Sequence, residues 1–450
     1  MITDHISQPD SIYCRLTGNV WPRRIALASV ALMLVAQIYL IVTYSGATQL
    51  SDYMQYVALA EYCNEHGSWY PMPEHRYDGF IFAPGLINYF ILQLKLFGTL
   101  KLNMILNLLL NLAMVGMVYS FAKKYYSECA GWWSVAIYGM LYSTWWIVVP
   151  AGTEVPFLTL SMAGIWLMLR KKPWWWIVAG LCFAMANWIR PLVVIYMLFG
   201  MVVMWFNMNK KFSGTIYGIV MMFVGYGAGV YSVGALSEST CNDFITKSST
   251  GGLNLIYTAN DKAYGGVAAS LYNDSTNQCF IYNPEKYTYA QKDSIWKSRA
   301  INWIKENPGR YAKLYLIKIP GMFVEDAWPD RSVLAGAGMV DAYVHGHISF
   351  GEFLPHAIAL VAKSLVYYIV LILFACSLWI CRKDIFTVKG IWLLLWLGGV
   401  AGTCLLAVTP RYHYPFLFVM VMWAAYGFTR YCTAKCARKT CGMNVSKMTE

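Results

Sequence analysis

Apolar segments recur along the chain, and short clusters of basic residues separate them, such as Lys123-Lys124, residues 170–172 and Lys210-Lys211. A helix needs about 20 predominantly apolar residues to cross a bilayer. Because cytoplasmic loops carry an excess of Lys and Arg, the basic clusters mark one side of a membrane. The sequence therefore predicts an all-α polytopic membrane protein with about ten crossings and both termini inside.

The composition agrees with this class of protein. Hydrophobic residues make up 58% of the 450 residues, and charged residues only 13%, whereas a soluble domain carries about a quarter charged residues. The formal net charge of +12 resides in clusters at the ends of apolar segments. We therefore exclude nucleic acid as a partner and expect membrane lipid instead.

The order of apolar and polar stretches divides the chain into four regions. The predicted crossings are residues 25–44, 100–122, 130–149, 155–169, 174–189, 192–207, 215–236, 356–380, 391–408 and 416–429. The regions are an N-terminal transmembrane module (1–236) with a first extracytoplasmic loop (45–98), an extracytoplasmic region (237–350), C-terminal transmembrane helices (351–430) and a cytoplasmic basic tail (431–450).

Two helices are predicted in the first outer loop. Ser51 is a suitable N-cap for a helix over residues 51–65, which places Asp52 in the first turn, where the helix dipole favours an ionised carboxylate. Pro84 suits the first turn of a second helix that ends near Gly98. The loop thus presents an acidic side chain at the outer edge of the membrane.

The larger outer region is predicted to be mixed. Gly251-Gly252 reads as a turn into a strand, and residues 300–306 as a short helix that residues 307–309 stop. Cys241 and Cys279 could pair in an oxidising compartment, and that pairing stays open. The cysteines of the basic tail are expected to be reduced cytoplasmic thiols; they are Cys432, Cys436 and Cys441.

Ionisable side chains gather on the predicted outer face: Asp52, Glu61, Glu65, Glu74, His75, Arg76, Asp78, Glu154, Arg190, Arg411 and His413. Arginine forks match phosphate geometry, and a carboxylate can take a proton from a hydroxyl. This combination suggests a pocket for an anionic, lipid-linked substrate. No metal-ligand spacing is present among the His and Cys residues.

Each of these residues also has a plainer interpretation. Asp52 could be an ordinary acid at a helix start, and Glu154 a solvated turn residue. Arg190 and Arg411 could be interfacial anchors, although both lie opposite the basic excess. Arg76 belongs to a charged loop of a kind that is usually solvated.

Five stretches, in order along the chain, resemble one family of membrane enzymes. They are residues 153–157 (Thr-Glu-Val-Pro-Phe), 187–191 (Asn-Trp-Ile-Arg-Pro), 251–260, 300–311 and 410–415 (Pro-Arg-Tyr-His-Tyr-Pro). Together with an Asp just after the first crossing, this order resembles the GT-C superfamily of glycosyltransferases. The branch it is most similar to is glycosyltransferase family 39, the group of protein O-mannosyltransferases and lipid A aminoarabinose transferases.

The resemblance implies a GT-C-like helix bundle with juxtamembrane helices, and an inverting transfer of a hexose or pentose. The donor would be a sugar linked to polyprenyl phosphate, and the acceptor a hydroxyl of a lipid, a glycan or a protein. Asp52 matches the family's catalytic Asp and would be the general base. The expected location is a bacterial inner membrane with the active site facing outward.

Further site residues are expected around Asp52. Three arginines are candidates for the donor phosphate: Arg190, Arg411 and Arg76. Four residues are candidates for substrate binding: Glu154, Tyr56, Asp78 and His413. Many family members carry Glu directly after the catalytic Asp, whereas this chain has Tyr53 there. That departure weakens the expectation of a divalent metal, so no metal ligand is assigned and the need for a metal stays open.

Two other classes of function compete with this hypothesis. A transporter or a flippase for lipid-linked sugars would need ionisable residues near the middle of the bilayer, and usually internal repeats; within the predicted crossings Lys363 is the main candidate. A noncatalytic scaffold that binds partners through residues 237–350 would have no requirement for Asp52.

Overall fold

The computed structural model describes residues 12–266, 274–334, 339–344 and 346–446, without the side chains of residues 340, 341, 344 and 439–446. Throughout these ranges the chain forms helices and turns, and none of them contains a β-strand.

Eleven α-helices lie in the N-terminal half: α1 (Ile12–Thr17), α2 (Val20–Tyr44), α3 (Asp52–Glu65), α4 (Pro84–Phe97), α5 (Asn103–Tyr125), α6 (Glu128–Tyr138), α7 (Tyr142–Trp146), α8 (Glu154–Met168), α9 (Pro173–Ile189), α10 (Val193–Asn207) and α11 (Phe212–Cys241). Eight follow: α12 (Gly251–Ile256), α13 (Tyr289–Glu306), α14 (Pro308–Met322), α15 (Met339–Val344), α16 (Phe350–Lys363), α17 (Leu365–Ile380), α18 (Ile391–Cys404) and α19 (Tyr414–Ser446).

The all-α membrane class is confirmed by these helices. Within the described residues α2, α5 and α11 are each long and apolar enough to cross a membrane, and the count rises to four when α16 and α17 are taken as one broken crossing. Helices α8, α9 and α10 are apolar but shorter. The total of about ten crossings stays a prediction.

The two helices predicted within residues 45–98 form where they were expected. Helix α3 begins at Asp52 after Ser51, whose φ is 57° and whose side chain makes no capping hydrogen bond. Tyr53 and Tyr56 lie on its buried face. Helix α4 has Pro84 in its first turn and ends at Gly98 in the left-handed conformation, with φ 69°, as glycine allows.

The crossing predicted over residues 130–149 is not one continuous helix, because the chain leaves the helical conformation between α6 and α7 and again after α7. Backbone carbonyls freed at membrane depth must find donors inside the protein. Gln37 donates to the carbonyl of Thr144 at 2.7 Å, and Asn107 donates to that of Val148 at 3.2 Å. Amides from α2 and α5 therefore stabilise the break.

A second predicted crossing, residues 356–380, is also broken. Helices α16 and α17 meet at Ser364 with a bend of 56°. The Ser364 hydroxyl accepts a hydrogen bond from the backbone N–H of Asp326 at 3.1 Å. Lys363 contacts Asp330 at 2.6 Å, so the charge predicted inside a crossing lies at the bend and is paired.

The interpretation of residues 237–350 needs two corrections. Gly251-Gly252 opens the helix α12 and not a strand. The helix predicted over residues 300–306 is the end of the longer α13, and Pro308 begins α14 immediately afterwards. Proline is favoured in a first helical turn, where no N–H donor is lost. Residues 307–309 therefore end α13 and also begin α14.

The cysteines also differ from expectation. Cys14 and Cys436 form a disulfide that links α1 to α19, whereas the tail was expected to hold only reduced thiols. Cys432 is a free, buried thiol, and so are Cys241 and Cys279. The side chain of Cys441 lies outside the described part of the chain.

Helices α9 and α11 approach each other closely through glycines. A Cβ atom added at Gly225 would lie 1.9 Å from the carbonyl oxygen of Ile177, and one at Gly180 would lie 2.0 Å from that of Met222. Small residues allow such backbone contacts between membrane helices. Helix α9 ends at Ile189, directly before Arg190, so this packing also supports the site described below.

We expect Gly225→Ala to destabilise the protein by about 1–3 kcal/mol, the usual penalty for overpacking. Gly227→Ala is the matched control on the same helix, because no atom lies within 4 Å of its added Cβ. Thermal unfolding in detergent micelles measures both variants, and equal melting temperatures for the two would contradict the close packing.

Candidate functional site

A cavity of about 1030 Å³ opens at the end of the helical bundle where α3 begins. Its walls come from the start of α3, the turn after α9, residues 244–257, α13 and residues 402–415. Asp52, Tyr56, Arg190 and Arg411 all line it. Four of the predicted site residues, which are far apart in sequence, therefore meet in one place.

Asp52 and Arg411 form an ion pair inside this cavity. The Asp52 Oδ2 lies 2.6 Å from an Nη of Arg411. The Asp52 side chain keeps 32% of its surface exposed, whereas that of Arg411 keeps 19%, and the Arg411 Nε is buried without a hydrogen-bond partner. The carboxylate is thus accessible to a ligand and remains held by a cation.

Glu154 and Arg190 form a second, deeper ion pair. Their Oε1 and Nη atoms lie 2.9 Å apart, and Glu154 is only 2% exposed. A Cβ at Gly152 would lie 2.6 Å from the Glu154 Oε2 and 2.8 Å from the Tyr53 ring. Glycine at 152 therefore lets the carboxylate sit directly behind α3, and Glu154 is not a solvated turn residue.

An aromatic ring connects the two arginines. The guanidinium carbons of Arg190 and Arg411 each lie 5.6 Å from the centre of the Tyr412 ring. Tyr56 forms another part of the cavity wall and packs against Phe82, with ring centres 4.9 Å apart. The Tyr412 ring helps to hold both arginines in position, because cation–π contacts of this kind are attractive.

The far side of the cavity carries residues that the sequence analysis did not single out. Lys247, Lys297 and Asp293 line it. Asp293 accepts a hydrogen bond from the backbone N–H of Gly252 at 2.6 Å, and burial raises the pKa of its carboxyl. The only signal for these residues was the glycine pair, which was interpreted as a turn.

Two predicted residues lie elsewhere. Arg76 contacts Asp243 at 3.5 Å on a half-exposed surface. Asp78 is exposed, and its backbone carbonyl accepts a hydrogen bond from Lys292 at 3.0 Å. The structure brings neither of them to the cavity wall, because their loop folds against α11 and α13.

His413 also faces away from the cavity. It is fully buried, and its Nε2 lies 3.3 Å from the Asp326 Oδ1. It belongs to a buried cluster between the turn Pro410–His413 and residues 325–332. The prediction that His413 contacts substrate is therefore not supported by its position.

Asp52 and Glu154 each face an arginine, and not one another. In the described ranges no three His, Cys, Asp or Glu side chains are grouped so that they could hold a metal ion. Helix α3 separates the cavity from a smaller one of about 430 Å³, whose lining includes Glu61, Lys101 and Met54.

Comparisons with known proteins find similarity in structure, and it is remote. No protein-family model matches the chain, and no curated protein matches it. A crystal structure of ArnT from Cupriavidus metallidurans bound to undecaprenyl phosphate is similar over 89% of this chain and 77% of that chain, with 13% identity and a TM-score of 0.36. Similarity at this level does not establish a shared activity, so the site is interpreted from its own residues.

A buried and a half-exposed ion pair, Glu154–Arg190 and Asp243–Arg76, should lose different amounts of stability when the arginine is replaced by alanine. Arg190→Ala leaves the buried Glu154 carboxylate without its cation, and we expect a loss of about 3–5 kcal/mol in stability. Arg76→Ala removes a half-exposed pair and should change stability by at most about 1 kcal/mol. Denaturant unfolding of both variants measures this difference, and similar losses would mean that Glu154 and Arg190 are not a buried pair.

Proposed function

We propose that the protein is an inverting glycosyltransferase with a GT-C-like fold. It moves a sugar from a polyprenyl-phosphate-linked donor to an acceptor hydroxyl, with Asp52 as the general base. The observation that carries this proposal is the meeting of one accessible carboxylate, Asp52, with two guanidinium groups, Arg190 and Arg411, in one cavity.

Asp52 has the properties that a base for this reaction needs. Its side chain faces the Arg411 cation at 2.6 Å, and a general base must begin deprotonated. Its exposed fraction of 32% leaves room for an acceptor hydroxyl. During transfer the acceptor oxygen bonds to the anomeric carbon, the bond from that carbon to the phosphate oxygen breaks, and the hydroxyl proton passes to Asp52.

The arginines suit the leaving phosphate. A guanidinium has five N–H donors, and the contacts with Asp52 and Glu154 occupy only part of each fork. Positive charge aimed at the leaving group stabilises the negative charge that develops there. When the donor phosphate binds Arg411, the Asp52 carboxylate is released toward the acceptor.

The cavity also suits the lipid part of such a donor. Apolar side chains line its wall beside Arg190 and Arg411, among them Ile189, Leu192, Ile195 and Leu406. An isoprenoid chain gains free energy by leaving water for such a surface. The wall and the arginines together fit an amphiphile with an anionic head group.

The proposal also specifies which side of the membrane the active site faces. The charge pattern of the sequence predicts that Asp52, Arg190 and Arg411 lie opposite the basic clusters, which supports an active site that faces outward from a bacterial inner membrane. The flippase alternative loses its main support, because Lys363 is paired with Asp330 at a helix bend. The acceptor remains open between a lipid, a glycan and a protein.

Asp52→Asn should abolish transfer, lowering the rate by about 10²–10⁴-fold, because the base is lost while the side-chain shape is kept. The assay is sugar transfer from a polyprenyl-phosphate donor in membranes that contain the variant. Glu65→Gln, at the exposed end of the same helix, is the control and should retain full activity. Full activity of Asp52→Asn would refute the assignment.

Arg411→Lys should weaken the binding of undecaprenyl phosphate, because lysine keeps the charge but loses the fork that grips a phosphate. We expect a rise in Kd of about tenfold, and a similar rise for Arg190→Lys. Lys123→Arg on the opposite side is the control. Titration of purified protein with the lipid gives the values, and unchanged affinity in both variants would exclude these arginines as phosphate ligands.

A further inference from the structure

Arg411 is carried by a short 3-10 turn, Pro410–His413, that connects the end of the α18 region to α19. Its guanidinium points to Asp52, whereas His413, two residues later, is fully buried on the opposite side of the turn. The position of Arg411 therefore depends on what holds His413.

The neighbours of His413 determine where its protons are. Its Nδ1 lies 2.6 Å from the carbonyl oxygen of Pro410 and 3.2 Å from that of Met322. Carbonyl oxygens only accept, so Nδ1 carries a hydrogen. Its Nε2 lies 3.3 Å from the Asp326 Oδ1. Two acceptor atoms cannot attract each other, so a second proton lies between Nε2 and the Asp326 carboxyl.

Asp326 fastens this pair to two other elements. Its Oδ2 accepts a hydrogen bond from the backbone N–H of Ser143, at the start of α7, at 3.1 Å. Its own backbone N–H donates to Ser364 at the bend between α16 and α17. Asp326 is fully buried. Both helix breaks, which no local sequence signal predicted, thus converge on the residue that faces His413.

We propose that Asp326 is a positioning residue for Arg411, acting through a proton shared with His413. The proposal rests on the proposed function, in which Arg411 binds the donor phosphate. Without the shared proton, the Nε2 lone pair and the Asp326 carboxylate repel each other, and the turn that carries Arg411 loosens. Other titratable groups around the pair are Tyr138, Tyr367, Tyr368, Tyr414 and Glu325, the last of which is paired with Arg331.

Two substitutions distinguish the contacts that the Asp326 side chain makes from the proton that it shares with His413. Asp326→Asn keeps both contacts, because its amide oxygen can accept from Ser143 while its NH₂ group donates to a neutral His413. Asp326→Ala removes both contacts. Asp384→Asn is the matched control, since its carboxylate accepts from Tyr426, a residue of α19 remote from the cavity.

The first measurement is the Kd for undecaprenyl phosphate of full-length protein in micelles, as a function of pH above about 7, where the lipid phosphate is already mostly doubly ionised. In the wild type and Asp384→Asn, affinity should fall toward alkaline pH as the shared proton leaves. Asp326→Ala should bind about 10- to 100-fold more weakly. Asp326→Asn should bind like the wild type at neutral pH without the alkaline fall. If affinity still falls toward alkaline pH in Asp326→Asn, or if the affinity of the wild type does not change with pH, the shared proton is contradicted.

The second measurement needs no lipid and therefore separates this proposal from the proposed function. Amide hydrogen exchange in the peptide covering residues 405–415 should accelerate in Asp326→Ala and stay at the wild-type rate in Asp326→Asn and Asp384→Asn. Unchanged exchange in Asp326→Ala overturns the positioning role, whether or not the protein binds the lipid. Faster exchange in Asp326→Ala, together with a wild type that binds no polyprenyl phosphate, would contradict the proposed function alone.

Discussion

The ion pair between Asp52 and Arg411 joins residues that are 359 positions apart in the sequence. One partner begins α3, and the other lies in the turn before the last helix, α19. Because an arginine and a carboxylate at 2.6 Å need both backbones in place, the pair depends on most of the bundle. The pair also gives the cavity its chemistry. It places an accessible carboxylate beside arginines whose N–H donors are only partly used by Asp52 and Glu154.

Local signals were sufficient for the elements that present the site. Pro84 in a first turn and Gly98 after a last turn act within a few residues, so α4 was predicted correctly. Helix α3 begins at the predicted position, although the Ser51 side chain makes no capping hydrogen bond. The breaks after α6 and at Ser364 were missed. Their carbonyls and N–H groups are satisfied by Gln37, by Asn107 and by other distant partners, which no window of sequence contains.

The same reasoning explains the successes and failures among the site residues. Tyr56, Arg190 and Arg411 meet at one cavity because each lies in or beside the end of a helix that local signals predict. Arg76 and His413 were misplaced because charge alone does not identify a partner, and their partners, Asp243 and Asp326, became visible only in the fold. A buried pair such as His413 and Asp326 leaves no pattern in a single sequence.

The most direct test of a phosphate-binding arginine site beside a catalytic Asp52 is a structure determined by cryo-electron microscopy with undecaprenyl phosphate bound. Density for the phosphate should lie within hydrogen-bond distance of Arg190 and Arg411, with the Asp52 contact to Arg411 opened. Phosphate density in the smaller cavity beside Glu61 and Lys101, with the Asp52–Arg411 pair intact, would contradict the site.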